Sequence, residues 1–343
     1  MKGGYYLITY DNDSINYKDN KVLNDISKSG KERPWVNKKL NTLDLAESYK
    51  RLGYINKHYR VKDCGTFLEF RRYQNQSLKL NQANFCKVRL CPMCSWRRSL
   101  KIYGQVSKVM DHAVNLYDYV FIFLTLTCRN VSGEELSNTI DNLFHAFNLL
   151  TKRKKFKQSI KGYFRALEIT HNLDKNSLYY DTYHPHFHIV LAVNKSYFDG
   201  GKNYISQMEW TSLWKSCLKV DYTPIVDVRR FKDTNGKGIS KSIAETAKYT
   251  VKDTDYIVKD ELNNIDEVMT DSAVLILDKA MAYRRLTAFG GTLKFIHKEL
   301  NLDDAEDGDL VNTDSDDDIR DDLEYIIERY FWNIGYKQYY KVD

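Results

Sequence analysis

From Tyr119 to Thr127 the chain runs YVFIFLTLT, an uncharged stretch rich in aromatic and β-branched side chains, and the pattern predicts a buried strand. The period then changes. Leu136, Ile140, Leu143, Phe147 and Leu150 recur at helical spacing behind Ser132, an N-cap with Glu135 three residues on as its capping-box partner. Tyr163–Thr170 and His186–Val193 read as strands, Met208–Leu218 as a helix, Ile225–Phe231 as a strand, and Ser240–Lys252 as a helix begun by Ser240. The order βαββαβα predicts an α+β fold, with helices packed on a mostly antiparallel sheet.

Outside this stretch the signals are sparser. Thr42–Leu52 reads as a short helix, and Asp271–Phe289 as a helix stopped by Gly290-Gly291. Residues 303–322 hold eleven Asp or Glu and one Arg, the pattern of a solvated linker, and Leu323–Tyr340 reads as a last aromatic-rich helix. The expected organisation is an N-terminal region without assigned role (1–60), a Cys-rich module (61–118), a core (119–260), a helical extension (261–300), an acidic linker (301–322) and a C-terminal helix (323–343).

Charge sharpens the picture. The chain of 343 residues carries +6 overall and the acidic stretch −10, so the rest carries the difference, +16. A body that basic suits a polyanionic partner, because each Lys or Arg that meets a phosphate also releases a condensed counterion. Scattered solubilising lysines would account for the same charge. Twenty-six tyrosines and fifteen phenylalanines among those cations suit base stacking in single strands, and ordinary cores equally. No apolar run is long enough to span a bilayer, and Met1-Lys2-Gly3-Gly4-Tyr5 lacks a secretory layout, so no membrane partner is expected and the cytoplasm is the default address.

Cys86, Cys91 and Cys94 form C-x4-C-x2-C in FCKVRLCPMC, with Cys64 upstream. In a reducing compartment such clustering favours a structural zinc site over disulfides. Cys64 is the preferred fourth ligand. His58 or His112 could complete the site instead, and small core thiols are the bland alternative. Arg97, Arg98 and Lys101 follow directly as a dense basic group.

Three of eight histidines fall in His184-Pro185-His186-Phe187-His188. Alternation along a strand puts His186 and His188 on one face and Phe187 in the core. Glu168, at the end of the preceding strand, is the expected carboxylate partner. Two imidazoles and a carboxylate suit Mn²⁺ or Mg²⁺ with positions left open for a phosphate oxygen, although zinc hydrolases use the same set. His184 is expected behind these ligands, in a supporting position. Glu245 and Tyr249, four apart, share a helix face flanked by Lys248 and Lys252. A tyrosine hydroxyl beside a polarised phosphodiester can attack phosphorus, and a carboxylate one turn away can activate a water.

The set Phe123-Leu124-Thr125-Leu126-Thr127, HPHFH at 184–188, the Glu245…Tyr249 helix continuing as KYTVKDTDY, and FCKVRLCPMCSWRR resembles the replication initiators of rolling-circle plasmids, in the HUH endonuclease superfamily. The resemblance covers roughly residues 60–260. It implies an HUH-type core over 119–260 that nicks one strand of origin DNA. Glu168, His186 and His188 would hold the cation, Tyr249 would form a 5′-phosphotyrosine, and the released 3′-hydroxyl would prime synthesis. Glu245 would activate water for the terminating cleavage; in some related nickases a second tyrosine does this, and Tyr256 is the nearest such residue. Lys252 would support the cation site, and the cysteine module with Arg97, Arg98 and Lys101 behind it would help bind origin DNA. A hairpin or single-stranded nick site, a host helicase and a polymerase are the implied partners, with room for a homo-oligomer. The alternatives are a relaxase or single-strand transposase with the same chemistry, a zinc-stabilised DNA-binding regulator without catalysis, and a small-molecule metallohydrolase.

Overall fold

The structure, a computed structural model, describes residues 21–27, 30–231, 243, 252–313 and 323–342. It is α+β, with two antiparallel sheets and eight α-helices among the described residues. In chain order α1 spans Trp35–Arg51, α2 Ile55–Asp63, β1 Phe67–Tyr73, β2 Leu78–Ala83, α3 Pro92–Tyr117, β3 Val120–Thr127 and α4 Gly133–Lys152. Next come α5 Lys154–Ser159, β4 Gly162–Asn172, β5 Thr182–Val193, α6 Gln207–Leu218 and β6 Val226–Arg230. The chain ends with α7 Glu267–Met281, β7 Thr287–Gly291, α8 Thr292–Glu299, β8 Tyr325–Asn333 and β9 Gln338–Val342.

The central sheet runs β6-β3-β5-β4-β7. Both faces are covered, which is why its strands read as nearly unbroken apolar runs. On one face Leu124 and Leu126 of β3 and Phe187, Ile189 and Leu191 of β5 share a buried cluster with the helical stripe of α4. That stripe is the predicted one, Leu136, Ile140, Leu143, Phe147 and Leu150, and Ser132 begins the helix with its backbone N–H donating to Glu135 Oε2 at 3.2 Å. On the other face Phe121, Phe164, Val190 and Ala192 pack against Ile102, Val106 and Val109 of α3 and Leu293 and Ile296 of α8. Each large aliphatic side chain removed from water in these layers contributes roughly 1.5–3 kcal/mol, so truncating Leu143 at the centre of α4 would weaken the whole face.

Three expectations change. Leu323–Tyr340 is a hairpin rather than a helix, and β8 adds to β1 in register from Phe67↔Phe331 to Tyr73↔Tyr325. The segment is β-branched and aromatic with period two: Glu328, Tyr330 and Trp332 are buried, and Trp35 packs edge-on to Phe70 beneath them. The helix expected to end at Gly290-Gly291 stops at Met281, and the glycines lie in β7, paired to β4. A Cβ on Gly290 would stand 2.1 Å from the Tyr163 ring, so the glycines serve close strand packing. The first half of the acidic stretch is docked rather than solvated. Glu306 is buried, accepting from the Thr287 N–H and hydroxyl and pairing with Arg89 at 2.7 Å.

Helix α1 begins seven residues before the predicted Thr42, and with α2 it packs beside the Cys-rich segment, giving the N-terminal region a structural part. Helix α3 joins the two halves. Its first turn carries Cys94 and its later turns cover the central sheet.

Candidate metal centres

Strands β4 and β5 pair with Glu168 directly opposite His186. Alternation then puts His186 and His188 on the α3 face of the sheet, where the three side chains converge. Glu168 Oε2 lies 2.7 Å from His188 Nε2 and 3.5 Å from His186 Nε2, and the two ring nitrogens are 3.2 Å apart. Ligand atoms about 2.1 Å from a shared ion and at right angles stand about 3 Å apart, so the set fits one divalent cation. The rings are oriented from behind. His186 Nδ1 donates to the His184 carbonyl at 3.0 Å, which leaves its Nε2 lone pair aimed at the centre. His188 Nδ1 meets Thr125 Oγ1 at 3.4 Å, and Phe123 stacks on the ring at a centroid distance of 5.3 Å.

Burial opposes the charge of Glu168, yet hydrogen bonds and charge from His186 and His188 outweigh it and hold the carboxyl well below the ordinary range. It is therefore the anion a ligand must be. His184 lies beside His186. Its Nε2 donates to the Cys128 carbonyl at 3.0 Å, its ring stacks on His186, and burial followed by the His186 charge lowers its pKa. Lys252 Nζ lies 3.6 Å from Glu168 Oε1, on the side away from the histidines.

The second centre gathers Cys64, Cys86, Cys91 and Cys94. The Cys64 sulfur is 3.5 Å from that of Cys94 and 3.6 Å from that of Cys91, and those of Cys86 and Cys94 are 3.7 Å apart. Four sulfurs about 2.3 Å from a tetrahedral ion stand about 3.8 Å apart, so the donors fit a tetrathiolate site and are too far apart for disulfides. Neither histidine alternative takes part: His58 Nδ1 bonds the Ala46 carbonyl at 2.8 Å, and His112 faces Glu299. Burial holds the Cys64 and Cys94 thiols well up. Burial opposes charge on Cys91 too, but hydrogen bonds from the other three sulfurs pull it well down. Backbone N–H groups of Cys86 and Val88 point at the sulfurs of Cys64 and Cys86 at 3.3 and 3.4 Å.

Two supports of this centre escaped sequence reasoning. Lys39 of α1 is fully buried, its ammonium donating to the carbonyls of Lys62 and Cys64 at 2.8 and 2.7 Å, and burial lowers its pKa to about 8. Thr42 Oγ1 accepts from the Met93 N–H at 3.2 Å and touches Cys91 Sγ at 3.7 Å. One turn apart on α1, both are ordinary helix residues locally, and only the spacing of Lys39 and Thr42 hinted at a shared face.

The cations expected to meet DNA are placed otherwise. Arg97 and Lys101 are 1% exposed and Arg98 7%, and all three hold the chain's own acidic segment. Arg97 donates to the Leu310 and Val311 carbonyls, Arg98 to those of Glu306 and Lys87, and Lys101 to Asp303 and the Asp309 carbonyl. They lie on α3 where the returning 303–311 segment needs donors for its carbonyls. Tyr256, the alternative second tyrosine, is 1% exposed and donates to the Leu90 carbonyl, buried beside the Cys-rich module. Glu245 and Tyr249 lie outside the described residues, as does most of the expected helix at 240–252.

A sequence model of the family described as "Replication protein" matches residues 77–340, which include the Glu168–His186–His188 centre and three of the four cysteines. The chain is 45% identical over 342 residues to "Protein rep" of Bacillus amyloliquefaciens, covering 94% of this chain and 97% of that protein. It is 44% identical over 301 residues to "Protein rep" of Streptococcus pneumoniae serotype 2 (strain D39), covering 87% and 89%. With a "Replication protein" of Staphylococcus aureus it shares 38% over 223 residues, covering 64% and 89%. No solved structure matches the chain.

Proposed function

The chain belongs to the family of Rep replication proteins, and from that membership we propose that it initiates plasmid replication by nicking one strand at the origin through a tyrosine nucleophile. The observation that carries this is the convergence of Glu168, His186 and His188 on one sheet face, with spacing for a single divalent cation. A Mn²⁺ or Mg²⁺ ion held there supplies positive charge to a non-bridging oxygen of the scissile phosphate.

Tyr249 is the nucleophile. Its hydroxyl loses a proton as its oxygen bonds to phosphorus, and the bond to the 3′ oxygen breaks. That oxygen takes up a proton and leaves as the 3′-hydroxyl from which a polymerase extends. Two described residues flank it in sequence: Ile243, buried in the cluster on the α3 face, and Lys252, beside Glu168. Tyr249 is three steps along the chain from Lys252, with Thr250 and Val251 between, and a chain that short spans at most about 11 Å. Glu245 activates water for the terminating cleavage, so that the protein is released from its product. In fold terms residues 119–260 form an HUH-type nicking core, extended by β7, and the tetracysteine centre holds a structural zinc. The partners are origin DNA with a single-stranded nick site, a host helicase and a polymerase, and the +16 carried outside the acidic stretch favours the DNA.

The tetracysteine geometry favours one other reading, a zinc-stabilised DNA-binding protein that cuts nothing. One experiment separates them: the protein is incubated with labelled single-stranded hairpin DNA and Mn²⁺, denatured, and searched by mass spectrometry for a nucleotide-bearing tyrosine. An adduct on Tyr249, absent from a Tyr249→Phe variant that still binds the DNA, is the expected result. No adduct on hairpins that the protein demonstrably binds would leave the non-catalytic reading standing.

A further inference from the structure

Residues 252–257 touch three parts of the molecule. At one end Lys252 reaches Glu168, and the Asp255 carbonyl accepts from His171 Nδ1 on β4 at 3.0 Å. In the middle the Asp253 carboxylate accepts from Lys38 Nζ at 2.7 Å and Asn41 Nδ2 at 2.8 Å, both on α1. At the far end the buried Tyr256 hydroxyl donates to the carbonyl of Leu90, the residue before Cys91. Cys91 caps α3 and touches Thr42, the neighbour of Asn41. The same few residues thus bridge the tetracysteine centre and the Glu168–His186–His188 centre. A small cavity lined by Lys38, Pro92, Trp96 and Lys252 lies along the bridge.

We infer that residues 252–257 are a strap by which the tetracysteine centre holds the Lys252 ammonium against Glu168, with Asp253 and Tyr256 as its positioning residues. The inference rests on the reading that Glu168, His186 and His188 hold a divalent cation. Lys252 is half exposed and long, and a free lysine of that kind samples many rotamers, so a fixed backbone is needed to keep its charge at one carboxylate. An ammonium there opposes a second cation at the same carboxylate and attracts an anion placed between them. The strap therefore weakens binding of the bare metal ion and favours the ion together with a phosphate.

The test is Mn²⁺ affinity, measured by electron paramagnetic resonance on the full chain with its cysteine site filled by zinc. Lys252→Met is expected to tighten Mn²⁺ binding about 3- to 10-fold by removing a like charge. Tyr256→Phe, which keeps the ring and deletes only the bond to Leu90, is expected to tighten it comparably, and the double variant to go no further than Lys252→Met alone. Asp253→Asn is the second probe should Tyr256→Phe fold poorly. Unchanged affinity in Tyr256→Phe and Asp253→Asn, or effects that multiply with Lys252→Met, would overturn the strap. The outcome is independent of cleavage: a non-additive cycle without any tyrosine adduct keeps the strap and removes the nicking reaction, and an adduct with multiplying effects does the reverse. Mn²⁺ binding that survives His188→Ala unchanged would remove the cation centre and the strap together.

Discussion

Cys64, Cys86, Cys91 and Cys94 come from the end of α2, the exit of β2 and the start of α3, whereas Glu168, His186 and His188 come from two neighbouring strands. The first centre is the more enclosed: Cys64, Cys91 and Cys94 have no exposed surface and Cys86 is part-buried. The second is open, with the side chains of Glu168 and His188 14% and 23% exposed. Under the proposed function, four thiolates drawn from separate elements would make folding and metal binding one event, while three donors on a preformed sheet face would leave room for a substrate oxygen. On that reading the contrast separates a site that would hold the fold from a site that would use it.

The sharpest way to break that contrast is a pair of substitutions. Structural zinc contributes roughly 10 kcal/mol or more in small metal-folded units. Cys91→Ser is therefore expected to lose zinc by elemental analysis and to abolish a single cooperative transition in thermal unfolding. His188→Ala should unfold within about 1 kcal/mol of the parent and cut adduct formation roughly 100-fold or more, since it removes a proposed cation ligand at a part-exposed position. Equal destabilisation by both would erase the distinction.

A smaller effect tests the cations of α3. Because Lys101 binds Asp303 and the Asp309 carbonyl, Lys101→Ala should cost about 1–3 kcal/mol of stability through the groups it leaves unpaired. The slope of log DNA affinity against log salt should stay unchanged. A slope smaller by about one would return Lys101 to the DNA surface.

The smallest effect concerns the strap and pH. Burial opposes the Asp253 charge, but Lys38, with Asn41, outweighs it and depresses the folded pKa below the ordinary 3.8. A depressed carboxylate contributes stability that is fully present above its unfolded value and is lost as pH falls through the folded one. Unfolding midpoints followed from pH 6 downward should thus fall more steeply below about pH 4 in the parent than in Asp253→Asn. Parallel curves would remove the ion pair's contribution.

Much of this was legible in one dimension. The alternation of β3 and β5, the stripe of α4 and the tight Cys and His spacings are local patterns whose periods match backbone geometry, and each appears in the structure, with β5 starting at Thr182 rather than the expected His186. Even the pairing of Glu168 with the histidines could be anticipated, because consecutive strands usually neighbour one another. The C-terminal hairpin was misread because TyrIleIleGluArgTyrPheTrp is short and aromatic, and helix and strand differ there only by which side chains are buried. Its partner β1 lies some 250 residues earlier in the chain, from Phe67↔Phe331 onward.

The sequence by itself determined the donors, the strands and helices that carry most of them, and the basic character of the body. Tertiary structure decided who meets whom. It brought Cys64, with Lys39 behind it, to Cys91 and Cys94, turned Arg97, Arg98 and Lys101 toward the acidic segment, and buried Tyr256 against Leu90. The physical reason is range. Periodicity reports which face of an element seeks burial, but the choice of partner depends on contacts closed over many residues, whose energies exist only once the chain has folded around them.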